Sequence, residues 1–218
     1  MAGRRPLVED LPRVVPIFPL PGVLLLPYAR LPLNIFEPRY LAMVRDALAA
    51  DRLIGMVQPS NTQSAGARPP VYGIGCAGRI TAFNETDDGR FLITLTGLCR
   101  FAVEAELPLK DGYRRIKADW AQFLDDLARA DDAVVDRARL LRVLRDYFAA
   151  QDISANWPAI EKAAGGDLVT MLAMVCPFSA AEKQALLEAS GLGERAELLI
   201  SLLAMAVLDR DGPGAGAN

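Results

Sequence analysis

Prolines restrict the first part of the chain more than any other feature of the sequence. Residues 14–27 contain four of them, at positions 16, 19, 21 and 27. A proline lacks a backbone N–H and has a fixed φ, so it interrupts a helix and is excluded from the interior of a sheet. The stretch from Val14 to Tyr40 is therefore predicted to begin with three short extended segments: Val14–Phe18, Val23–Leu26 and Leu31–Ile35.

A helix is predicted to follow directly, over Pro38–Ala50. Pro38 suits a first helical turn, where a missing N–H costs nothing, and Glu37 places a negative charge at the positive end of the helix dipole. Apolar residues then recur at helical spacing and define one buried side. Next, the apolar run Leu53–Val57 predicts a buried strand, and the Ser-, Gly- and Pro-rich residues 59–70 predict a mobile surface loop.

Two alternating segments, residues 74–82 and 91–103, predict a hairpin, and the Asp-Gly pair between them is typical of its turn. A turn centred between Asp87 and Asp88 gives a register in which every pair on the buried face is apolar or glycine. The predicted pairs are Ile80–Leu95, Ala82–Ile93, Ile74–Phe101, Gly78–Gly97 and Cys76–Cys99. Gly97 in mid-strand also suggests a bulge, which would shift the pairs beyond it by one residue.

The second half of the chain has helical spacing. After a predicted strand Tyr113–Leu124, apolar residues at 134, 138, 141, 144 and 148 predict a helix that begins at Asp131 or Asp132. Four more predicted helices span residues 156–164, 168–176, 179–191 and 195–208. The third of these four starts with a capping box of Ser179 and Glu182.

Charge also divides the chain, since residues 1–120 carry a net +3 and residues 121–218 a net −6. The sequence therefore predicts an α+β protein with a β subdomain over residues 1–124, a helical bundle over 125–210 and a disordered tail over 211–218. The β subdomain is expected to contain about six mostly antiparallel strands and one helix, and to close or half-close into a barrel that removes exposed edges.

Composition argues against several function classes. The chain has no His, and its three Cys lack C-x-x-C spacing, so neither a metal site nor a cofactor is predicted. No nucleophile–base pair is evident, which disfavours a hydrolase. The longest apolar run, 198–208, is too short to span a bilayer, and we expect a soluble cytoplasmic protein without membrane partners. The net charge of −3 makes nucleic acid an unfavourable partner.

Two segments carry a family resemblance: Pro-Ile-Phe-Pro-Leu-Pro at 16–21 and Leu-Asn-Ile-Phe-Glu-Pro-Arg-Tyr at 33–40. They resemble the N-terminal, substrate-binding domain of the ATP-dependent protease Lon in its free-standing form. Residues 78–80, 88–91, 97–101 and 177–195 extend the resemblance over most of the chain. It implies a PUA-like, mostly antiparallel β pseudobarrel with one helix, followed by an α-helical bundle.

The resemblance also implies recognition of unfolded or tagged protein segments. The sequence has no G-x-x-x-x-G-K-[ST] phosphate loop, and Gly214 stands where the family's peptidase motif has its nucleophilic Ser. We therefore predict a non-catalytic protein- or peptide-binding module, an adaptor in protein quality control that works with a protease in trans. An RNA- or nucleotide-binding domain is the alternative, because PUA-like barrels can host that function.

Six residues are candidates for peptide binding: Phe36, Glu37, Arg39, Tyr40, Arg79 and Arg100. The first four form either a strand end, helix cap and core anchor, or the wall of a peptide groove. The two remaining arginines are expected on the polar face of the hairpin, opposite residues 96 and 75 respectively. There they would either bind an anion or be solvated.

Overall fold

The computed structural model describes residues 11–60 and 68–211. Most of the predicted loop 59–70 and nearly all of the predicted tail 211–218 lie outside the described residues. The chain forms two compact units. The first contains the described residues up to Arg129 together with Ser179–Leu187, and the second contains Ala130–Phe178 and the described residues from Glu188 onward. Segment 179–187, which the sequence pattern groups with the helical bundle, thus packs within the first unit.

The first unit is built on one six-stranded sheet and a helix, α1 (Pro38–Ala49). Its strands are β1 (Val14–Pro19), β2 (Arg30–Ile35), β3 (Leu53–Val57), β4 (Ile74–Glu85), β5 (Phe91–Lys110) and β6 (Tyr113–Asp119). The order is β2-β5-β4-β3-β1-β6, and β6 pairs again with β5. Five strands therefore close into a ring with β2 outside it, which confirms the predicted α+β class and its mostly antiparallel pseudobarrel.

The length of β5 makes this closure possible. Its 20 residues pair with β2 and β4 in the first part and with β4 and β6 in the second. Buried side chains fill the ring around Phe101, which contacts the Trp120 ring edge-to-face at 5.7 Å between centroids. A Cβ on Gly55 or Gly75 would lie within 2.8 Å of the Phe101 ring, so both glycines make room for it.

The hairpin register agrees with the prediction in its middle and departs from it on either side. Ile80 pairs with Leu95, and Gly78 pairs with Gly97, as expected. A bulge then shifts the pairing, so that Ala77 opposes Cys99 and Cys76 opposes Arg100. The predicted Cys76–Cys99 and Ile74–Phe101 pairs are wrong, because Leu98, next to Gly97, is an extra residue without a partner on β4. This is the one-residue shift that a bulge at Gly97 was expected to cause. A second shift pairs Ala82 with Thr94, so the predicted Ala82–Ile93 pair is wrong as well.

The segment before β2 explains the glycine at position 97. The Tyr28 N–H donates to the Gly97 carbonyl and the Gly97 N–H to the Ala29 carbonyl, both at 2.8 Å. The chain passes so close that a Cβ on Gly97 would lie 1.9 Å from the Leu26 carbonyl oxygen. Leu24–Leu26 are buried but irregular, so the predicted strand Val23–Leu26 is wrong.

Five further helices follow β6. They are α2 (Arg137–Ala150), α3 (Trp157–Lys162), α4 (Gly165–Val175), α5 (Ala180–Glu188) and α6 (Leu192–Asp211). The strand predicted to reach Leu124 ends at Asp119, where a 3-10 segment, Ala121–Leu127, begins. No helix in the described ranges has the length and hydrophobicity that crossing a membrane requires.

Local capping determines where these helices begin. Asp131 and Asp132 start only a 3-10 turn, whereas Asp136 caps α2 by accepting the Arg139 N–H at 3.0 Å. The buried side of α2 consists of Leu140, Leu144 and Tyr147, and only Leu144 belongs to the predicted set. The predicted capping box is confirmed, because the Ser179 N–H donates to Glu182 at 2.7 Å and the Glu182 N–H to Ser179 Oγ at 3.3 Å.

The contact at Gly97 gives a stability prediction. Gly97→Ala is expected to lower the free energy of unfolding by about 3 kcal/mol, because the new methyl group overlaps a backbone carbonyl that cannot move without breaking two hydrogen bonds. Urea denaturation followed by circular dichroism measures the change. Gly73→Ala is the control, since a Cβ there meets nothing within 4 Å. Equal stability of the two variants would contradict the proposed close approach.

Candidate functional site

The six predicted site residues lie in three separate places of the first unit. Phe36 and Glu37 join β2 to α1, and Arg39 and Tyr40 lie in the first turn of α1. Arg79 lies in the middle of β4, and Arg100 lies in β5. The structure therefore does not gather them into one groove, and each place has its own chemistry.

The β2–α1 junction combines an exposed aromatic ring with an anchored one. Phe36 is 63% exposed. Arg39 Nε donates to Glu37 Oε2 at 2.9 Å, and its guanidinium lies 4.5 Å above the Tyr40 ring. Tyr40 is buried, and its ring packs on Phe18 at 4.3 Å between centroids; burial is the main cause of its raised pKa. Tyr40 is thus a core anchor, whereas Phe36, Glu37 and Arg39 are available to a ligand.

Arg100 is only 3% exposed, so the expectation of a solvated or anion-binding arginine is wrong. Its Nε and Nη2 donate to the two carboxylate oxygens of Asp126 at 2.8 and 2.9 Å, and its Nη1 donates to the Leu187 carbonyl at 3.0 Å. Its guanidinium also lies 4.7 Å from the centre of the Phe123 ring. The sequence predicts Arg100 on a polar face of the hairpin that is open to solvent. In the structure, the 3-10 segment and the end of α5 cover β5 at this position.

Other buried polar side chains attach α5 to the first unit. Lys183 Nζ donates to the Gly22 carbonyl at 2.8 Å, and Gln184 Nε2 donates to the Ile74 carbonyl at 3.1 Å. From the sheet side, Gln58 Nε2 donates to the Ala180 carbonyl at 3.1 Å. All three side chains are buried, and their hydrogen bonds offset the cost of that burial. Sequence pattern could not assign these roles, because each partner is a main-chain carbonyl far along the chain.

On the side of Gly97 that leads to residues 91–96, the sheet continues as three strands. We call this part the three-stranded extension; it consists of residues 30–35, 79–85 and 91–96. The described part of the chain provides no further strand for β4 after Ile80, or for the outer edge of β2. One side of the extension forms three cross-strand rows. These rows are Arg30–Thr96–Arg79, Pro32–Thr94–Ala82 and Asn34–Leu92–Asn84.

These three rows constitute what we call the open face, because its side chains are exposed or half-exposed. Leu92 is 44% exposed between two asparagines. The opposite side contains the buried residues Phe91, Ile93 and Leu95. The open face thus presents apolar and amide groups at one end and two arginines at the other.

The outer edge of β2 is a poor site for adding a strand. Because the Gly97 N–H bonds to the Ala29 carbonyl, the alternation of an antiparallel ladder directs the main-chain groups of residues 31, 33 and 35 toward β5. Those of Arg30, Pro32 and Asn34 then point outward. Pro32 has no N–H, so the middle of this edge lacks a donor.

Comparison with known proteins identifies the family. Residues 14–205 match the family model of the ATP-dependent protease La (LON) substrate-binding domain. The chain belongs to this family. The Lon match covers the substrate-binding domain and not the ATPase or peptidase domains. No group of three or more His, Cys, Asp or Glu in the described residues could hold a metal ion.

Curated relatives include Lon protease 2 of Myxococcus xanthus, 27% identical over 89% of this chain, and the Lon protease of Anaeromyxobacter dehalogenans, 26% identical over 89%. The match covers 24% and 23% of those two proteins, so the chain spans about a quarter of their length.

Among solved structures, a Lon N-terminal domain protein from Xanthomonas campestris has a TM-score of 0.59 at 24% identity, over 86% of this chain and 97% of that one. The N-terminal domain of Mycobacterium avium complex Lon protease has a TM-score of 0.61 at 17% identity, over 88% and 98%. These two likenesses establish a shared fold.

The buried Arg100–Asp126 pair gives a second stability prediction. Asp126→Asn keeps the side-chain shape but leaves the guanidinium without its counter-charge, so the free energy of unfolding should fall by about 3 kcal/mol. Urea denaturation measures it. Glu197→Gln removes a carboxylate of the exposed pair with Arg139 and should change stability by less than about 1 kcal/mol. If the two variants lose equal stability, the buried pair has no special role.

The neighbouring thiol gives a reactivity prediction. Burial, followed by the Asp126 charge, raises the pKa of Cys99 to about 12. The folded protein at pH 8 should therefore contain Cys99 as the protonated thiol, which iodoacetamide attacks slowly. Mass spectrometry of tryptic peptides should find Cys99 alkylated in urea and unmodified in the native protein. Rapid native alkylation would contradict the burial described here.

Proposed function

We propose that this chain is a non-catalytic module that binds unfolded or extended segments of other polypeptides at the open face and the adjoining residue Phe36. The family supports this proposal, because the matched domain is the substrate-binding part of Lon. The observation that carries it is the apolar surface at and beside the open face, where Leu92 and Phe36 are both substantially exposed. We further propose that the chain acts as an adaptor for a protease in trans.

Physical chemistry favours an unfolded ligand at such a surface. An unfolded segment exposes the apolar side chains that a folded protein buries, and covering a large apolar side chain contributes about 1.5–3 kcal/mol. The open face offers Leu92 for such contacts, and its flanking asparagines can hydrogen-bond to any main chain. Glu37 and Arg39 extend the proposed surface with a charged pair next to Phe36. Arg79 belongs to it as part of the row Arg30–Thr96–Arg79, which we call the arginine row.

A pair of double variants tests the location. Phe36→Ser with Leu92→Ser should weaken binding of a dye-labelled, permanently unfolded protein by about tenfold or more, because two apolar contacts are lost. Fluorescence anisotropy gives the dissociation constant. Val175→Ser with Met205→Ser removes comparable exposed apolar side chains from the second unit and serves as the matched control.

Two outcomes would reject the proposed surface. One is equal weakening by both double variants, which would indicate non-specific apolar adsorption. The other is undiminished binding by Phe36→Ser with Leu92→Ser. Circular dichroism must first establish that all variants fold, and the exposed positions make this the expected result.

Salt dependence separates this function from RNA binding. Binding to phosphates weakens by orders of magnitude between about 50 and 200 mM salt when several contacts form. The proposed apolar binding should change little over that range. Tight RNA binding with a steep salt dependence, combined with no affinity for the unfolded protein, would replace the proposal.

A further inference from the structure

We infer that the open face selects extended polypeptide segments in which a carboxylate precedes or follows a large apolar side chain at a distance of four residues. The inference rests on the proposed function and names the chemistry of its ligand. It derives from the row Arg30–Thr96–Arg79 at one end of the open face and Leu92 at the other.

The arginines of this row differ from five other arginines of the first unit. Arg13, Arg39, Arg90, Arg100 and Arg114 each have a carboxylate within ion-pair distance. Within the described part of the chain, neither arginine of the row has such a partner. Arg79 Nη1 donates only to a main-chain carbonyl, that of Asp51, at 3.1 Å. Two positive charges therefore face the solvent side of the sheet without a counter-charge from the residues that the structure describes.

Hydrogen bonds at the central residue of the row, Thr96, also fix the row in position. Thr96 Oγ1 lies 2.9 Å from Thr81 Oγ1, and Thr81 Oγ1 donates to the Thr94 carbonyl at 3.2 Å. This hydrogen bonding spans the second register shift of the hairpin and holds β4 against β5 there. Directly paired residues in a sheet lie about 5 Å apart, so the two arginines flank a site about 10 Å wide. A carboxylate bound over Thr96 could approach either guanidinium.

The strand geometry gives the spacing. Thr96 and Leu92 are four residues apart on β5, a distance of about 13 Å at 3.3 Å per residue. A ligand chain in the extended conformation covers the same distance in four residues, and its residues i, i+2 and i+4 point to one side. A ligand carboxylate at the arginine row therefore places the side chain four residues away at Leu92. The intermediate side chain meets the row of Pro32, Thr94 and Ala82.

Surface composition favours a peptide over RNA as the occupant. Apart from the arginines, the three rows of the open face consist of Pro, Thr, Ala, Asn and Leu, which provide no aromatic surface for stacking bases. At the edge of β2, the missing N–H of Pro32 further favours docking on the face over addition of a strand.

Three dye-labelled peptides of equal length test the inference against the full chain. In the first, Asp and Leu are four residues apart; in the second, Asn replaces the Asp; in the third, the Asp is moved to three residues from the Leu. The first is expected to bind about five- to tenfold more tightly than the other two, the range of one or two exposed ion pairs. Raising the salt concentration should reduce this ratio.

Matched variants locate the effect. Arg30→Gln with Arg79→Gln should abolish the preference for the first peptide, so that this variant binds all three peptides equally. Arg139→Gln with Arg145→Gln makes the same change in net charge on the second unit and should keep the preference. Loss of the preference in both double variants would overturn the inference, because it would indicate a general charge effect.

The outcomes separate the two proposals. Equal binding of all three peptides would overturn the carboxylate selectivity and leave polypeptide binding intact. Absence of binding for every peptide and for the unfolded protein would reject both. Displacement of the first peptide by a single-stranded RNA at equimolar concentration would also overturn the inference, since the arginine row would then serve phosphates.

Discussion

The buried ion pair of Arg100 and Asp126 is the interaction on which the first unit depends most. A guanidinium that is only 3% exposed is destabilising unless its N–H groups are hydrogen-bonded. Here the acceptors are the Asp126 carboxylate and the Leu187 main-chain carbonyl. Those acceptors come from the 3-10 segment after the last strand and from the end of α5. One side chain of β5 therefore joins three parts of the chain that are far apart in sequence.

Much of the first unit could be predicted from its alternating pattern, yet the pattern concealed one reversal. Apolar residues at odd positions from Phe91 to Phe101 predict a single buried face, and these positions are indeed buried. The bulge at Leu98, however, turns the strand over. A Cβ on Gly97 or Gly78 would meet residues 25–27 on one side of the sheet, whereas Ala77, Cys99 and Phe101 belong to the core of the ring on the other. No periodicity could reveal that reversal, because it depends on one unpaired residue.

The same reversal explains which site residues sequence reasoning could find. Phe36 was a candidate because its motif stands out, and it is exposed. Leu92 was not, because its exposure depends on the face that the bulge leaves uncovered. Arg30 and Arg79 form a row only through the β2–β5 and β4–β5 registers, which require the complete sheet. Arg100 is the reverse case: the sequence predicts an exposed polar residue, but the structure buries it. The elements that cover it are distant in the chain, so its burial could not be predicted from the local pattern.

The position of α5 has a consequence for biosynthesis. The carbonyl of Leu187 lies 87 residues after the arginine that binds it. At ordinary translation speeds, the ribosome needs on the order of ten seconds to add that many residues. During this interval the nascent strands are present while their last helix is still missing, and the buried polar side chains of β5 remain open to water. The burial of Arg100 in this protein is therefore completed only after residue 187 has been added, long after the last strand of the ring.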